Sequence, residues 1–373
     1  MLEILKIIDA ATKGNRPKVQ AFARQLANKI ERDGDPKAAQ RIRRTLDNDP
    51  FSEISPSGVA LNDRVPVDGE SRLGLADESN PSLEDAVVYL PQHIQNDVDE
   101  YLKNIESTDI LLAEGLSLST SMLLYGPPGC GKTELAKFIA ARLNLPLLTA
   151  RTDTLISSYL GSTAKNLRLL FDHASTRDCV LFLDEFDAVA KLRDDRHELG
   201  ELKRVVVSLL QNIDALKNQT ILIAATNHEH LLDPAIWRRF SYRINIDYPS
   251  QDVREMIVTK YEGGVLSKRE IGRVAIAAEG LSGSDIKEVC EASKRKYVLS
   301  KSKDSQPYAD SLRRVMMQKA GIDNADVERL ICWAKKTTPS VYTHDVLATI
   351  FSISKGSVSN ILKKASTNII IDE

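Results

Sequence analysis

Apolar residues recur along this chain at two spacings, and the change from one to the other marks its organisation. Near the amino terminus Ile4, Ile7 and Ile8, then Val19, Phe22, Ala23, Leu26 and Ile30, fall three or four positions apart. That period predicts two amphipathic helices, and Asp35-Pro36 opens a third, so residues 1–47 read as a small helical module. Residues 48–81 lose the period and are dominated by Pro, Gly, Ser, Asn and acids, the composition of a flexible linker. Over residues 82–249 a helical stripe (Ile94, Val98, Leu102, Ile105) gives way to short continuous apolar runs at Ser121–Tyr125, Leu147–Thr149, Val180–Leu183 and Thr220–Ala225. Buried strands alternating with helical segments predict an α/β fold, a parallel sheet with helices on both faces. Residues 250–305 carry helical stripes only (Val253, Ile257; Ile271, Val274, Ala275, Ala278; Ile286, Val289, Cys290) and predict a helical lid. Residues 306–373 form a further helical region.

Charge changes this picture little in total and more in distribution. The chain of 373 residues holds 50 Lys+Arg against 52 Asp+Glu, a formal charge of −2, which excludes a wholesale polycation for coating nucleic acid. Locally the balance is +5 over residues 1–47, whereas residues 49–85 hold 9 acids against 2 bases. Cys130, Cys179, Cys290 and Cys332 are too sparse for a disulfide scaffold and form no CxxC pair, which fits a reducing cytosol. The apolar run at the amino terminus is interrupted by charges and followed by no small-residue cleavage site, so no signal peptide is read. No stretch reaches the roughly 18 uninterrupted apolar residues of a membrane span. A soluble, cytoplasmic protein without a membrane partner is expected.

The chemistry gathers at the ends of the predicted strands. Gly126-Pro-Pro-Gly129-Cys130-Gly131-Lys132-Thr133 follows the strand ending at Tyr125 and opens a helix at Glu134. Glycines there let successive N–H groups cradle phosphate oxygens, the helix N-terminus adds partial positive charge, Lys132 neutralises the β- and γ-phosphates, and the Thr133 hydroxyl is a ligand for Mg²⁺. Cys130 fills the variable slot of the loop. Val180-Leu-Phe-Leu-Asp184-Glu185 ends a buried strand in carboxylates: Asp184 suits the Mg²⁺ shell, and Glu185 is the candidate to orient and deprotonate the attacking water. The strand beginning at Thr220 ends at Asn227, whose amide can hydrogen-bond the water or the γ-phosphate. Eleven residues later Arg238 and Arg239 precede Phe240, and guanidinium groups are suited to charge spread over a transferring phosphoryl group.

In this order the motifs resemble those of an AAA+ ATPase, a P-loop NTPase with a helical lid. The resemblance covers roughly residues 83–300. Its adjacent Arg-Arg-Phe is similar to the protein-remodelling branch of spastin, katanin and the ESCRT-disassembling ATPase. It implies ATP and Mg²⁺ as cofactors and arginines acting in a neighbouring subunit's site, hence a homo-oligomeric ring, usually a hexamer. Gly280-Leu-Ser-Gly-Ser-Asp285 resembles the lid segment of these ATPases, with Ser284 in place of Ala and sensor 2 unassigned. Tyr159-Leu160-Gly161 is similar to the pore loop with which related motors grip a polypeptide, and Lys191–His197 is a candidate second central loop. The overall layout also resembles bacterial AAA ATPases paired with a subtilisin-like protease, some linked to phage defence.

The segment from His344 to Lys363 resembles a helix-turn-helix, with Leu347, Ala348, Phe351, Ile353, Val358 and Ile361 as its apolar set and Ser352 where Gly is preferred. Ser357, Ser359, Asn360, Lys363 and Lys364 would line its exposed face. Such a unit docks DNA or protein, and both readings stand: a remodeller acting on a protein client, or a DNA-directed ATPase in mobile-element, regulatory or phage-defence work.

Overall fold

The computed structural model describes residues 65–69, 71–116, 120–156, 160–190, 199–216, 220–300, 306–322 and 326–368, together with Leu26, Lys29 and Ile30. The chain divides into two units, Met1–Arg64 and Val65–Glu373. In the first, Leu26, Lys29 and Ile30 are helical, as their spacing predicts; the rest of the expected amino-terminal module lies outside the described residues.

The second unit carries a sheet whose strands are β1 (Ala76–Ser79), β2 (Ser121–Tyr125), β3 (Leu147–Ala150), β4 (Cys179–Leu183), β5 (Thr220–Thr226) and β6 (Tyr242–Asn245), in the order β1-β3-β4-β5-β2-β6. All neighbouring pairs are parallel except β1 with β3. Continuous apolar runs serve strands buried on both faces, because alternate side chains leave in opposite directions. Leu123, Leu148, Leu181, Leu183 and Leu222 enter one core with helices α5 (Leu160–Ala174) and α7 (Leu199–Ala215). Met122, Leu124, Val180, Phe182, Ile221 and Ile223 enter the other with α1 (Gln92–Glu106) and α3 (Lys132–Leu143). Short helices α2 (Thr108–Ala113), α4 (Thr152–Leu155), α6 (Asp187–Ala190) and α8 (Pro234–Trp237) complete this part.

The linker expected over residues 48–81 is too long at its carboxyl end. Leu75 is fully buried, Val67 bridges Gly74, and β1 pairs with β3. Buried Asp68 accepts hydrogen bonds from Ser71 N–H at 2.8 Å and from the Asn166 amide at 2.9 Å. The second unit therefore begins at Val65, and residues 48–64 of the expected linker lie outside the described residues.

The division between a lid and a separate carboxyl-terminal region also changes. Helices α9 (Gln251–Glu262), α10 (Lys268–Ala277), α11 (Gly283–Ser300), α12 (Pro307–Ala320), α13 (Val327–Thr337), α14 (His344–Phe351) and α15 (Lys355–Asn368) share one core running from Val253 to Val358. Buried Arg254 ties the start of this body together, donating to Ala275 O at 2.7 Å and Pro249 O at 2.8 Å. The expected apolar set of the terminal pair is confirmed: Leu347 and Val358 are fully buried, with Ala348, Phe351, Ile353 and Ile361 packed around them. Ser352 takes φ 54°, the left-handed conformation for which glycine is the usual choice, and so closes the turn between α14 and α15.

One buried charge is unresolved by this packing. Glu262, at the last turn of α9, is wholly buried; Oε1 accepts from Ser311 Oγ at 2.6 Å, while Oε2 has no hydrogen-bond partner. Burial raises its pKa, with Asp310 adding to the rise and the Ser311 and Ser293 hydroxyls and Lys294 opposing it. A carboxyl whose pKa is higher folded than unfolded contributes its stability below the unfolded pKa, and that contribution is lost as pH rises through the folded value. Glu262→Gln, which mimics the protonated form, is expected to raise stability by about 1–2 kcal/mol at pH 8 and to change little at acidic pH. Thermal melts of both proteins across pH 4.5–8.5 check this, and a pH-independent difference would contradict it.

Candidate active site

Three neighbouring strands, β4, β5 and β2, end side by side at Asp184, Asn227 and Gly126, the edge at which parallel sheets bind ligands. The loop after β2 needs its glycines. Gly126 has φ 134°, and a Cβ there would stand 2.2 Å from Ile246 O; Gly129 has φ 73°, and a Cβ would meet Ser282 Oγ at 2.6 Å. Gly131, at φ 102°, is the N-cap of α3, so the first N–H groups of that helix face the loop. Lys132 is buried and donates from Nζ to Gly126 O at 2.7 Å and Pro127 O at 2.8 Å; burial lowers its pKa. Half-buried Cys130 has its thiol pKa raised by burial. Glu134 pairs with Lys137 at 2.8 Å on the first turn of α3.

Thr133 Oγ1 donates to Asp184 Oδ2 at 2.9 Å, and Asp184 Oδ1 accepts from the Glu185 N–H at 2.9 Å. A hydroxyl and a carboxylate in contact are the hard oxygen donors that suit Mg²⁺, so these two residues fit the cation. Glu185 itself is exposed and holds φ 49°, a left-handed backbone that costs a non-glycine residue about 1–3 kcal/mol and is retained where surroundings over-determine it. Those surroundings are visible: Phe186 N–H donates to Ala225 O at 2.8 Å, and Thr226 Oγ1 donates to Asp187 Oδ1 at 2.7 Å. Half-buried Asn227 follows directly on β5.

The Gly-Leu-Ser-Gly-Ser-Asp segment acquires a physical reason. Ser282 N–H donates to Asp285 Oδ2 at 2.9 Å and Asp285 N–H to Ser282 Oγ at 3.2 Å, a reciprocal cap on α11. Ser284 N–H then donates to Gly129 O at 3.0 Å, joining the helical body to the phosphate loop. Between them opens a cleft of about 270 Å³ lined by Val88, Tyr89, Gly129, Cys130, Tyr261 and Lys287. Exposed Lys287 lies beside the cleft, its Nζ 5.4 Å over the Tyr261 ring and 4.0 Å from Glu291. Val88, Tyr89 and Tyr261 were not singled out in the sequence; the signal was the apolar triplet Val87-Val88-Tyr89 in an otherwise acidic, Ser- and Pro-rich stretch.

The segment bearing Arg238 and Arg239 packs on the end of β2 through Trp237, whose ring meets Tyr125 edge to face with centroids 5.3 Å apart. Arg239 carbonyl accepts from Ser121 Oγ at 2.7 Å, at the first residue of β2, and its guanidinium makes two 3.1 Å bonds to Asp214 near the end of α7. Hydrogen bonding to that carboxylate raises the guanidinium pKa. Arg238 is exposed. Residues 157–159 and 191–198 lie outside the described residues, so Tyr159 and the second central loop do too; Leu160 and Gly161 open α5, with their side chains outside the description. On α15, Ser357, Asn360, Lys363 and Lys364 are exposed and Ser359 is half-buried. Ser357 N–H bonds Ser354 Oγ at 3.0 Å, capping the helix. Among the described residues no helix is long and apolar enough to cross a membrane.

Residues 122–248 match the family described as ATPase family associated with various cellular activities (AAA). "Uncharacterized AAA family ATPase y4kL" of Sinorhizobium fredii is 35% identical over 296 residues, 79% of this chain and 89% of that protein. The 26S proteasome regulatory subunit 10B homolog A of Arabidopsis thaliana is 33% identical over 191 residues, 49% of this chain and 48% of that relative.

Proposed function

The chain belongs to the AAA family of ATPases and is an ATP hydrolase, and from that premise we propose that it works as a homo-oligomeric ring, a hexamer, that remodels or translocates a polypeptide. Gly126, Gly129, Cys130, Gly131, Lys132, Thr133 and Glu134 hold the nucleotide, and its base enters the cleft between Val88, Tyr89 and Tyr261. Thr133 and Asp184 would hold Mg²⁺, which when bound supplies Lewis-acid stabilisation of phosphate charge. Glu185 orients and deprotonates the water, and Asn227 hydrogen-bonds the water or the γ-phosphate.

The observation that carries the ring is the engagement of Arg239 within its own subunit beside an exposed Arg238. Gly126 lies five residues beyond Ser121, about 17 Å along a strand, while the Arg239 carbonyl meets Ser121 and its guanidinium turns toward Asp214. The Arg239 guanidinium is thus engaged away from the phosphate loop, whereas Arg238, which follows the Trp237 packed on Tyr125, is left exposed. A site completed by Arg238 from a neighbour accounts for both placements, and head-to-tail sharing of this kind makes a ring when the rotation between subunits closes. The adjacent Arg-Arg-Phe supports the spastin and katanin-like branch.

A polypeptide client is favoured by Tyr159-Leu160-Gly161 and by the proteasomal relative, and a subtilisin-like protease would be the destination of such a client in a cytoplasmic pathway. A second reading, DNA recruitment, is favoured by the exposed Ser357, Asn360, Lys363 and Lys364 on α15, with Ser359 at their edge. The two part on what stimulates ATP turnover. Unfolded polypeptide is expected to raise the rate severalfold, with Tyr159→Ala abolishing the response. Stimulation by duplex DNA that weakens steeply with salt and is lost in Lys363→Ala/Lys364→Ala would instead establish the second reading.

A further inference from the structure

We propose that Phe240 is a positioning residue for Glu185, acting through Phe186; the inference rests on the reading of Glu185 as the group that deprotonates water. Glu185 sits in a left-handed turn that its own side chain does nothing to favour, at φ 49°. The turn must be held from outside, and the residue that follows it is its wedge. Phe186 is fully buried, its N–H is fixed on Ala225 O at 2.8 Å, and its ring meets the fully buried Phe240 edge to face, with centroids 5.7 Å apart and planes at 82°. That is a favoured aromatic geometry, and one that resists rotation of either ring.

Phe240 closes the segment bearing the two arginines, and that segment is itself anchored. The Arg239 guanidinium is held by Asp214, its carbonyl by Ser121 Oγ, and Asp233 N–H donates to Ala190 O at 3.4 Å. Asp233 thus touches Ala190 at the end of α6, and Phe240 touches Phe186 in the turn after β4. The turn at Glu185 is thus braced from the arginine segment by the Phe186–Phe240 contact, beside the Phe186 N–H bond to Ala225 O and the Thr226 bond to Asp187. Loss of this contact leaves the nucleotide cleft intact and lets Glu185 leave its productive position, so the effect falls on kcat and not on binding.

The test is a double-mutant cycle on the full-length chain. Phe240→Leu and Phe186→Leu keep apolar bulk and remove the ring pair. Each is expected to lower kcat about tenfold while KM and the affinity for a fluorescent ATP analogue stay within about twofold. The double variant is expected to be no slower than the more impaired single one, because both substitutions break the same contact. Should Phe240→Leu fail to fold, Phe240→Met, flexible and of similar bulk, carries the same comparison. Unchanged kcat in a folded variant, a loss that appears in nucleotide affinity, or two losses that multiply would each overturn the proposal. Glu185→Gln measured alongside separates the two levels. An active Glu185→Gln protein removes the underlying reading of Glu185, whereas an inactive one beside a fully active Phe240→Leu protein removes the proposal alone.

Discussion

Glu185→Gln is expected to bind ATP as tightly as the unaltered protein and to hydrolyse it about 10²–10⁴-fold more slowly, the range associated with loss of a positioned general base. The substitution preserves length, shape and the hydrogen bond from its own N–H to Asp184 Oδ1 at 2.9 Å. It does not alter the left-handed backbone, which Phe186 and Ala225 hold from outside. Glutamine can still orient water but cannot accept its proton, so the loss falls on the chemical step. Thr133, Asp184 and Lys132, which meet the phosphates and Mg²⁺ in this account, are untouched. Equilibrium nucleotide binding beside single-turnover hydrolysis checks both halves. Turnover within tenfold of the unaltered protein would move the base elsewhere.

The second large effect is expected at Arg238 and not equally at Arg239. The sequence presents two adjacent guanidinium groups as equals. In the fold, Arg239 is committed to Asp214 through two 3.1 Å bonds within its own subunit, whereas Arg238 is exposed. A guanidinium delivered to a transferring phosphoryl group is worth about 10³–10⁵ in rate. Arg238→Ala should therefore approach a thousandfold loss with nucleotide binding intact. Arg239→Ala should cost on the order of tenfold, through loosening of the segment that ends at Phe240. Steady-state kinetics of the two variants at saturating ATP distinguish them, and equal losses would show that the Asp214 pair opens during turnover.

Strands β2 to β5 were legible because each is a continuous apolar run closed by a polar turn, and the catalytic groups were legible because they occupy those turns. Strand β1 was not, since Ala76 is the one buried side chain of Ala76–Ser79 and the strand is held through its backbone on the sheet edge. Helical stripes told which side chains in residues 250–365 are buried but not against what, so a single core was read as two regions. The asymmetry of the arginines depends on Asp214, 25 residues away in sequence. The backbone of Glu185 carries no signature, because glycine, the residue that would announce a left-handed turn, is excluded where a carboxylate is needed. Glu262 was silent for a related reason: an acid at a helix end is usually solvated, and only the packing of α9 against α11 and α12 buries it.

Mixing two inactive proteins tests the shared site most directly. Lys132→Ala removes nucleotide binding and keeps Arg238; Arg238→Ala keeps the nucleotide site and lacks the arginine. If Arg238 serves the neighbour, an equimolar mixture should recover about one quarter of wild-type ATPase activity, because half of the subunits bind ATP and half of their neighbours supply the arginine. A mixture as inactive as its components, or an Arg238→Ala protein that hydrolyses ATP at the wild-type rate alone, would contradict the account.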